Sequence, residues 1–229
     1  MTVKEALAAL KKAGTAQHRK VYGRHGVNGE MFGVSYATLG SLKKKIKVDH
    51  ALAVQLWKTG NHDARVLATM VADPTAATGK EIDAWVKDLD NYVITDAFAG
   101  LVSRTPFAQH KIEKWIDASG EWVGRAGWLV LARMARERAV PDSYFVPHLD
   151  TIEHKIHTRK NHVRDAMNSA LIAIGLRNPR MRALALAVAA RIGKVDVDHG
   201  ETGCKTPDAA SYIMKVATRE GGIAPQTGL

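Results

Sequence analysis

Cysteine is nearly absent: the 229-residue chain has one, Cys204. A lone thiol excludes a disulfide framework and any zinc site built from cysteine alone. Proline is scarce, at 7 residues, and aromatics make up 6%. No apolar run approaches the roughly 20 residues a membrane-spanning helix needs, so no membrane partner is expected. The opening stretch MTVKEALAALKKAG mixes charges and carries no cleavage-site pattern, unlike a secretory signal. A cytoplasmic setting, beside the nucleoid in a bacterium, is the expectation. The P-loop and the GxGxxG, HExxH and CxxC patterns are all missing, which removes the commonest nucleotide and metal signatures. No cofactor is expected.

What is present is a basic, globular composition. The hydrophobic fraction is 46%, enough to build a core and too high for a disordered chain. Lys and Arg total 33 against 23 Asp and Glu, a net charge of +10. Residues 1–47 hold ten Lys or Arg and two acids, and residues 151–182 hold seven and two. Between them, residues 72–96 hold six acids and two Lys. Two basic zones fit phosphate contacts to nucleic acid; solvated helix faces would read the same way.

Helix signals recur with short breaks, and no run of alternating β-branched residues suggests a strand. Two helices are expected within residues 2–24. Ser35 caps a helix through Ile46, Asp49 caps one stopping at Gly60, and Asn61 caps one stopping before Asp73-Pro74. Thr78 and Asp90 cap the next two, and Pro106 opens another that ends near Gly120. Glu121–Arg138, Asp142–Thr158, His162–Gly175, Pro179–Ile192 and Pro207–Arg219 complete the series. About a dozen helices in this length is one pair per roughly 38 residues, near the HEAT and armadillo period. An all-α curved solenoid of about six antiparallel helix pairs, forming one domain over 1–229, is expected; the alternative is an irregular α-domain.

Few groups suggest chemistry. His154, His157 and His162 are close in sequence, but no acid or Cys completes a ligand set, so no metal is expected there. Asp198, His199 and Cys204 read as a structural loop, with Thr206 capping the final helix and Pro207 in its first turn. Tyr92 and Asp96 are four apart and share a helix face, as do Trp122 and Arg125, three apart. On spacing alone these are a core Trp, an ion-pair Arg and a surface acid.

Five segments carry a family likeness: GVSYATLGSLKKKI (33–46), LAVQLWKTGNHDARVLATMVADP (52–74), DLDNYVITDAFAGLV (88–102), EWVGRAGWLVLARMA (121–135) and HVRDAMNSALIAIG (162–175). In these the sequence resembles the AlkD-type DNA alkylation repair family of HEAT-like-repeat proteins. The resemblance implies a concave basic surface holding duplex DNA, damaged or alkylated. It also implies a monomeric glycosylase that removes cationic N3- or N7-alkylated purines without a deep base pocket. The family's catalytic Asp, four residues after an aromatic, falls on Asp96, with Tyr92 where Trp is usual. Its DNA-contacting Arg, three residues after a Trp, falls on Arg125 after Trp122. A second cleft Trp is replaced by Ser169. Ser35, Lys43, Lys44, Lys45, Lys47, Arg159, Lys160 and Arg164 are the remaining candidate DNA contacts. A non-catalytic HEAT-like DNA-binding protein, for damaged or unusual DNA structures, is the alternative; a peptide-binding solenoid is a third reading.

The charge distribution generates a direct expectation. DNA affinity should fall steeply between low and moderate salt. Charge removal at Lys43–Lys47 should lower the slope of log K against log salt by about one for each phosphate released. Salt-independent binding in a filter or anisotropy titration would contradict it.

Overall fold

A computed structural model describes residues 1–137 and 139–221. Among the described residues there are thirteen α-helices and no strand. They divide into two compact units: Met1–Val130 with His199–Cys204, and Leu131–Asp198 with the chain from Lys205 onward.

The first unit contains α1 (Val3–Ala13), α2 (Ala16–Arg24), α3 (Tyr36–Ile46), α4 (His50–Lys58), α5 (His62–Val71), α6 (Gly79–Trp85), α7 (Tyr92–Val102) and α8 (Ala108–Trp115). It also contains most of α9 (Glu121–Met134). The starts of α1 to α7 follow a local rule: a short polar side chain accepts the N–H three residues ahead. Ser35, Asp49, Asn61 and Thr78 do this as expected. For α7 the cap is Asn91 rather than Asp90, because the N–H to be satisfied is that of Ile94. The Asp90 carboxylate instead accepts from Asn91 Nδ2 at 2.6 Å. Helix α8 begins at Ala108, beyond Pro106, and stops at Trp115, well short of Gly120. Helix α9 ends at Met134 rather than at Arg138, which lies outside the described residues.

The scarce aromatics are concentrated in this unit's core. Trp57 and Trp85 stack with centroids 4.3 Å apart and planes 2° from parallel. Phe98 packs 6.0 Å from Trp57 and 5.9 Å from Trp115. This row ties α4, α6, α7 and α8 together. Trp57 Nε1 donates to Asp88 at 2.8 Å, so its polar edge is not stranded by burial.

The loop between α2 and α3 is held by one carboxylate. Asp63, fully buried in the first turn of α5, accepts from the backbone N–H groups of Phe32, Gly33 and Val34 at 2.6, 3.0 and 2.8 Å. Three charge-assisted bonds satisfy an anion that burial would otherwise penalise. Gly33 has φ +78°, and a Cβ there would lie 2.6 Å from Thr15 O and 2.7 Å from Arg19, so the position requires glycine. Tyr22 donates to Val34 O at 2.6 Å from the other side, and burial, then the Asp63 charge, raises its hydroxyl far above the ordinary tyrosine value.

The second unit holds α10 (Asp142–Lys155), α11 (Asn161–Gly175), α12 (Pro179–Ile192) and α13 (Ala209–Gly221). Helix α10 passes into a 3-10 turn at Ile156–Thr158, inside the span expected to be one helix. Gly175 lets α11 meet α12 and α13: a Cβ there would lie 2.6 Å from Ile213 and 2.9 Å from Ala185. Arg177 lies over the Phe145 ring at 4.3 Å and donates to Asp142 and to the carbonyls of Ala135, Glu137 and Val140. The final helix starts at Ala209, capped by Asp208, which accepts from Ser211 N–H at 2.8 Å. Thr206 is therefore two residues early as a cap. Pro207 lies outside the helix, and its carbonyl accepts from Asn168 Nδ2 at 2.9 Å.

Removing the Asp63 carboxylate should cost more than any surface change in this unit. Asp63→Ala leaves three N–H groups without their acceptor and should lower stability by about 3 kcal/mol or more. Urea unfolding followed by Trp fluorescence measures this; an unchanged midpoint would refute the role.

Candidate functional site

Helix α7 presents two faces. Ile94, Phe98, Leu101 and Val102 are buried in the core, while Tyr92 and Asp96, one turn apart, lie on the opposite, half-buried face. The Asn91 cap sets this register by making Tyr92 the first helical residue. Helix α9 supplies Arg125. Its backbone comes close to the end of α8 because residue 127 is glycine: a Cβ there would lie 2.9 Å from Ile116 N and 3.0 Å from Trp115 C. Trp128 Nε1 donates to Ile116 O at 3.2 Å and fixes the same junction.

Arg125 Nε and Nη2 both donate to Asp96 Oδ1, at 3.1 and 2.9 Å. The two ends of this pair differ in solvent contact. The Arg125 side chain is 4% exposed and that of Asp96 is 44% exposed. A desolvated, rigid cation thus holds a carboxylate that reaches solvent. The guanidinium carbon is 5.7 Å from the Tyr92 ring centroid, a cation–π contact. The Tyr92 hydroxyl shares a hydrogen bond with His25 Nδ1, and the two rings meet edge-to-face at 5.6 Å and 71°.

Tyr36, the first residue of α3, belongs to the same electrostatic neighbourhood. Burial first, then the negative charges of Asp96 and Asp63, push its hydroxyl up to about 12, although the residue as a whole is 46% exposed. Ser35 beside it is occupied as a cap, accepting from Thr38 N–H at 3.2 Å. Lys43, Lys44, Lys45 and Lys47 are all exposed at the far end of α3. Lys47, just past the helix, has φ 66° and ψ −124°. Trp122 is half-buried, one turn before Arg125.

The other predicted residues belong to the second unit. Lys160 is exposed at the start of α11, and Arg159, Arg164 and Ser169 are half-buried. Arg164 Nη2 donates to Asn161 Oδ1 at 3.4 Å. Of the three clustered histidines, His154 meets Asp150 O at 2.9 Å and His157 meets Ile192 O at 2.8 Å, separate backbone partners. Among the described residues, no group of three or more His, Cys, Asp and Glu side chains is arranged to hold a metal. No helix among them is long and apolar enough to cross a membrane.

The structure therefore brings together Asp96, Tyr92 and Arg125, and adds His25 and Tyr36, which spacing does not reveal. His25 is 67 residues from Tyr92 in the chain, so no local pattern links them. Tyr36 follows a recognised cap, a signal for a helix start and not for a site.

The model of the DNA alkylation repair enzyme family matches residues 3–213. The chain belongs to that family. Its relatives include uncharacterized proteins of Listeria innocua and Listeria monocytogenes. Each is 28% identical over 209 residues, covering 87% of this chain and 90% of the relative. A solved structure superposes with a TM-score of 0.88 at 27% identity, covering 96% of this chain and 95% of the other. That protein is described as one of a new family related to the HEAT-like repeat DNA glycosylases, with affinity for branched DNA structures. The all-helical, HEAT-like-repeat fold of this family member agrees with the architecture expected from its helix period.

The Tyr36 hydroxyl offers a probe of this neighbourhood. Asp96→Asn removes a negative charge that disfavours the phenolate, so the Tyr36 pKa should fall below about 12. Burial, the first cause, should keep it above the ordinary tyrosine value near 10. Alkaline titration by ultraviolet difference spectroscopy, with Tyr36→Phe to assign the signal, measures the shift; an unmoved value would separate Tyr36 from Asp96.

Proposed function

We propose that this protein is a monomeric DNA glycosylase that hydrolyses the N-glycosidic bond of cationic N3- or N7-alkylated purines in duplex DNA. The observation that supports it most is the solvent-reaching Asp96 carboxylate clamped by buried Arg125 beside the Tyr92 ring. An alkylated purine already carries a positive charge. Breaking its bond to C1′ sends the bonding electrons into the purine and neutralises it, so no general acid is needed. The sugar carbon becomes electron-poor, and water adds to it and loses a proton. A carboxylate at contact range stabilises that developing charge and orients the water. Because the Arg125 guanidinium offsets the carboxylate at a distance, the stabilisation is confined to atoms touching Asp96. In this reading Arg125 and Tyr92 set the carboxylate's position, and no metal or cofactor is required.

Phosphate contacts come from the lysines of α3. From Tyr36 to Lys43–Lys45 is roughly 10–14 Å along the helix, at about 1.5 Å per residue. That distance corresponds to roughly three or four base steps of a duplex. Within the second unit, Arg159, Lys160 and Arg164 are separate proposed phosphate contacts around the start of α11. The work is then done wherever the cell keeps its DNA.

A second reading has its own observations. Ser169 offers no aromatic face where the family resemblance expects Trp. The solved relative's affinity for branched DNA favours a binder of DNA structures without base removal.

One experiment separates the two. Release of 7-methylguanine and 3-methyladenine from methylated duplex should be seen with the wild type and fall at least a hundredfold in Asp96→Asn. Duplex affinity should stay within about twofold, because the lysines hold the phosphates. No release by the wild type, together with preference for a four-way junction over duplex, would replace the glycosylase by the branched-DNA binder. Equal release by both proteins would remove Asp96 from the chemistry.

A further inference from the structure

The contacts of Tyr92 have a consequence for the base-release reading, on which the following rests: the geometry points to His25 as a positioning residue that sets the Tyr92 ring against Arg125 and Asp96. His25 lies outside the spacing that joins Tyr92 to Asp96 and Trp122 to Arg125. It acts on the site through the phenol.

The imidazole is itself well placed. His25 follows α2 as its C-cap, and its N–H donates to Val21 O at 3.2 Å. Gly26 turns the chain with φ +79°, and Val27 N–H donates to Tyr22 O at 3.0 Å. Val27 is buried and Tyr22 is tied to Val34, so the backbone either side of His25 is anchored. From this anchored position, half-buried His25 engages the Tyr92 hydroxyl through Nδ1 and packs edge-on to its ring.

A phenol ring on the first residue of a helix has two soft torsions. A cation on its face, Arg125 at 5.7 Å, does not by itself stop a swing to another χ1 rotamer. A second contact at the hydroxyl, from a different direction, does. With both in place, the ring face meets the guanidinium, and the guanidinium meets Asp96 Oδ1. Without the hydroxyl bond the first link in this chain loosens, and a carboxylate that works only at contact range is sensitive to small displacements. Substrate binding, carried by distant lysines, is not.

The test exploits side-chain shape. Asn carries a polar amide atom on Cγ, as His carries Nδ1, so His25→Asn keeps a hydrogen-bonding group at the same branch point, whereas His25→Leu keeps volume and removes it. The probe is a methylated duplex carrying 7-methylguanine. At saturating protein, His25→Leu should lower the single-turnover release rate about tenfold with duplex Kd within twofold. His25→Asn should recover to within about threefold of wild type. Tyr92→Phe should match His25→Leu, and the double variant should be no slower than either, since both remove one bond. Additive losses, an Asn variant as slow as Leu, or an unaffected Leu variant would each overturn the proposal. Thermal midpoints of all variants check folding. If the wild type releases no base, the glycosylase reading fails, and the imidazole 15N resonances of His25 decide this one. A shift of the Nδ1 signal in Tyr92→Phe supports the positioning role, and an unmoved signal refutes it.

Discussion

A buried carboxylate meeting three consecutive backbone N–H groups organises the first unit. Asp63 has no side-chain cation in the bonds that hold it; its partners are Phe32, Gly33 and Val34. Peptide groups are rigid and lie on the main chain, so this anchoring fixes a path rather than a contact. The path leads at once to Ser35 and Tyr36, the cap and first residue of α3. The lysines of α3 and the Tyr36 hydroxyl, which feels the Asp96 charge, therefore both depend on an acid in the first turn of another helix. The N-terminal end of α5 adds a favourable dipole to the same anion.

The candidate site is assembled by a comparable division of labour. Core residues on one face of α7 leave the other face to Tyr92 and Asp96. Gly127 lets α9 approach α8 closely, two residues from Arg125. Neither feature is chemical, yet together they place a buried guanidinium on a carboxylate that still reaches water. Burying the cation rather than the anion is the important asymmetry. It gives the pair a rigid end and a solvent-reaching end, and desolvation strengthens the attraction between them.

Much of this is legible from local spacing, because helix capping and facing are local rules. Ser35, Asp49, Asn61 and Thr78 are legible because a cap is read from its own residue and the one three ahead. Asp90 and Asn91 are adjacent residues of equal capping ability, so only the observed N–H partner distinguishes them. The shared face of Tyr92 and Asp96 follows from a spacing of four. Arg125 joins them through family likeness but not through spacing, since it lies 29 positions along the chain from Asp96. His25 and Asp63 are hidden for the same reason. Their partners are 67 and about 30 residues away, and an acid early in a helix looks like an ordinary response to the helix dipole. The second unit's final cap differs from the expected one because Pro207, a good first helical residue, is held outside the helix by Asn168.

Lys47 carries a cost that bears on design. Its φ of 66° with ψ of −124° suits glycine and strains a side-chain-bearing residue, at about 1–3 kcal/mol. A glycine would relieve that strain and terminate α3 equally well. The chain instead keeps a fourth cation beside Lys43, Lys44 and Lys45. At this position stability and electrostatic attraction are traded against one another, so a variant library screened only for thermal tolerance would drift toward glycine at residue 47 and shed positive charge in the process.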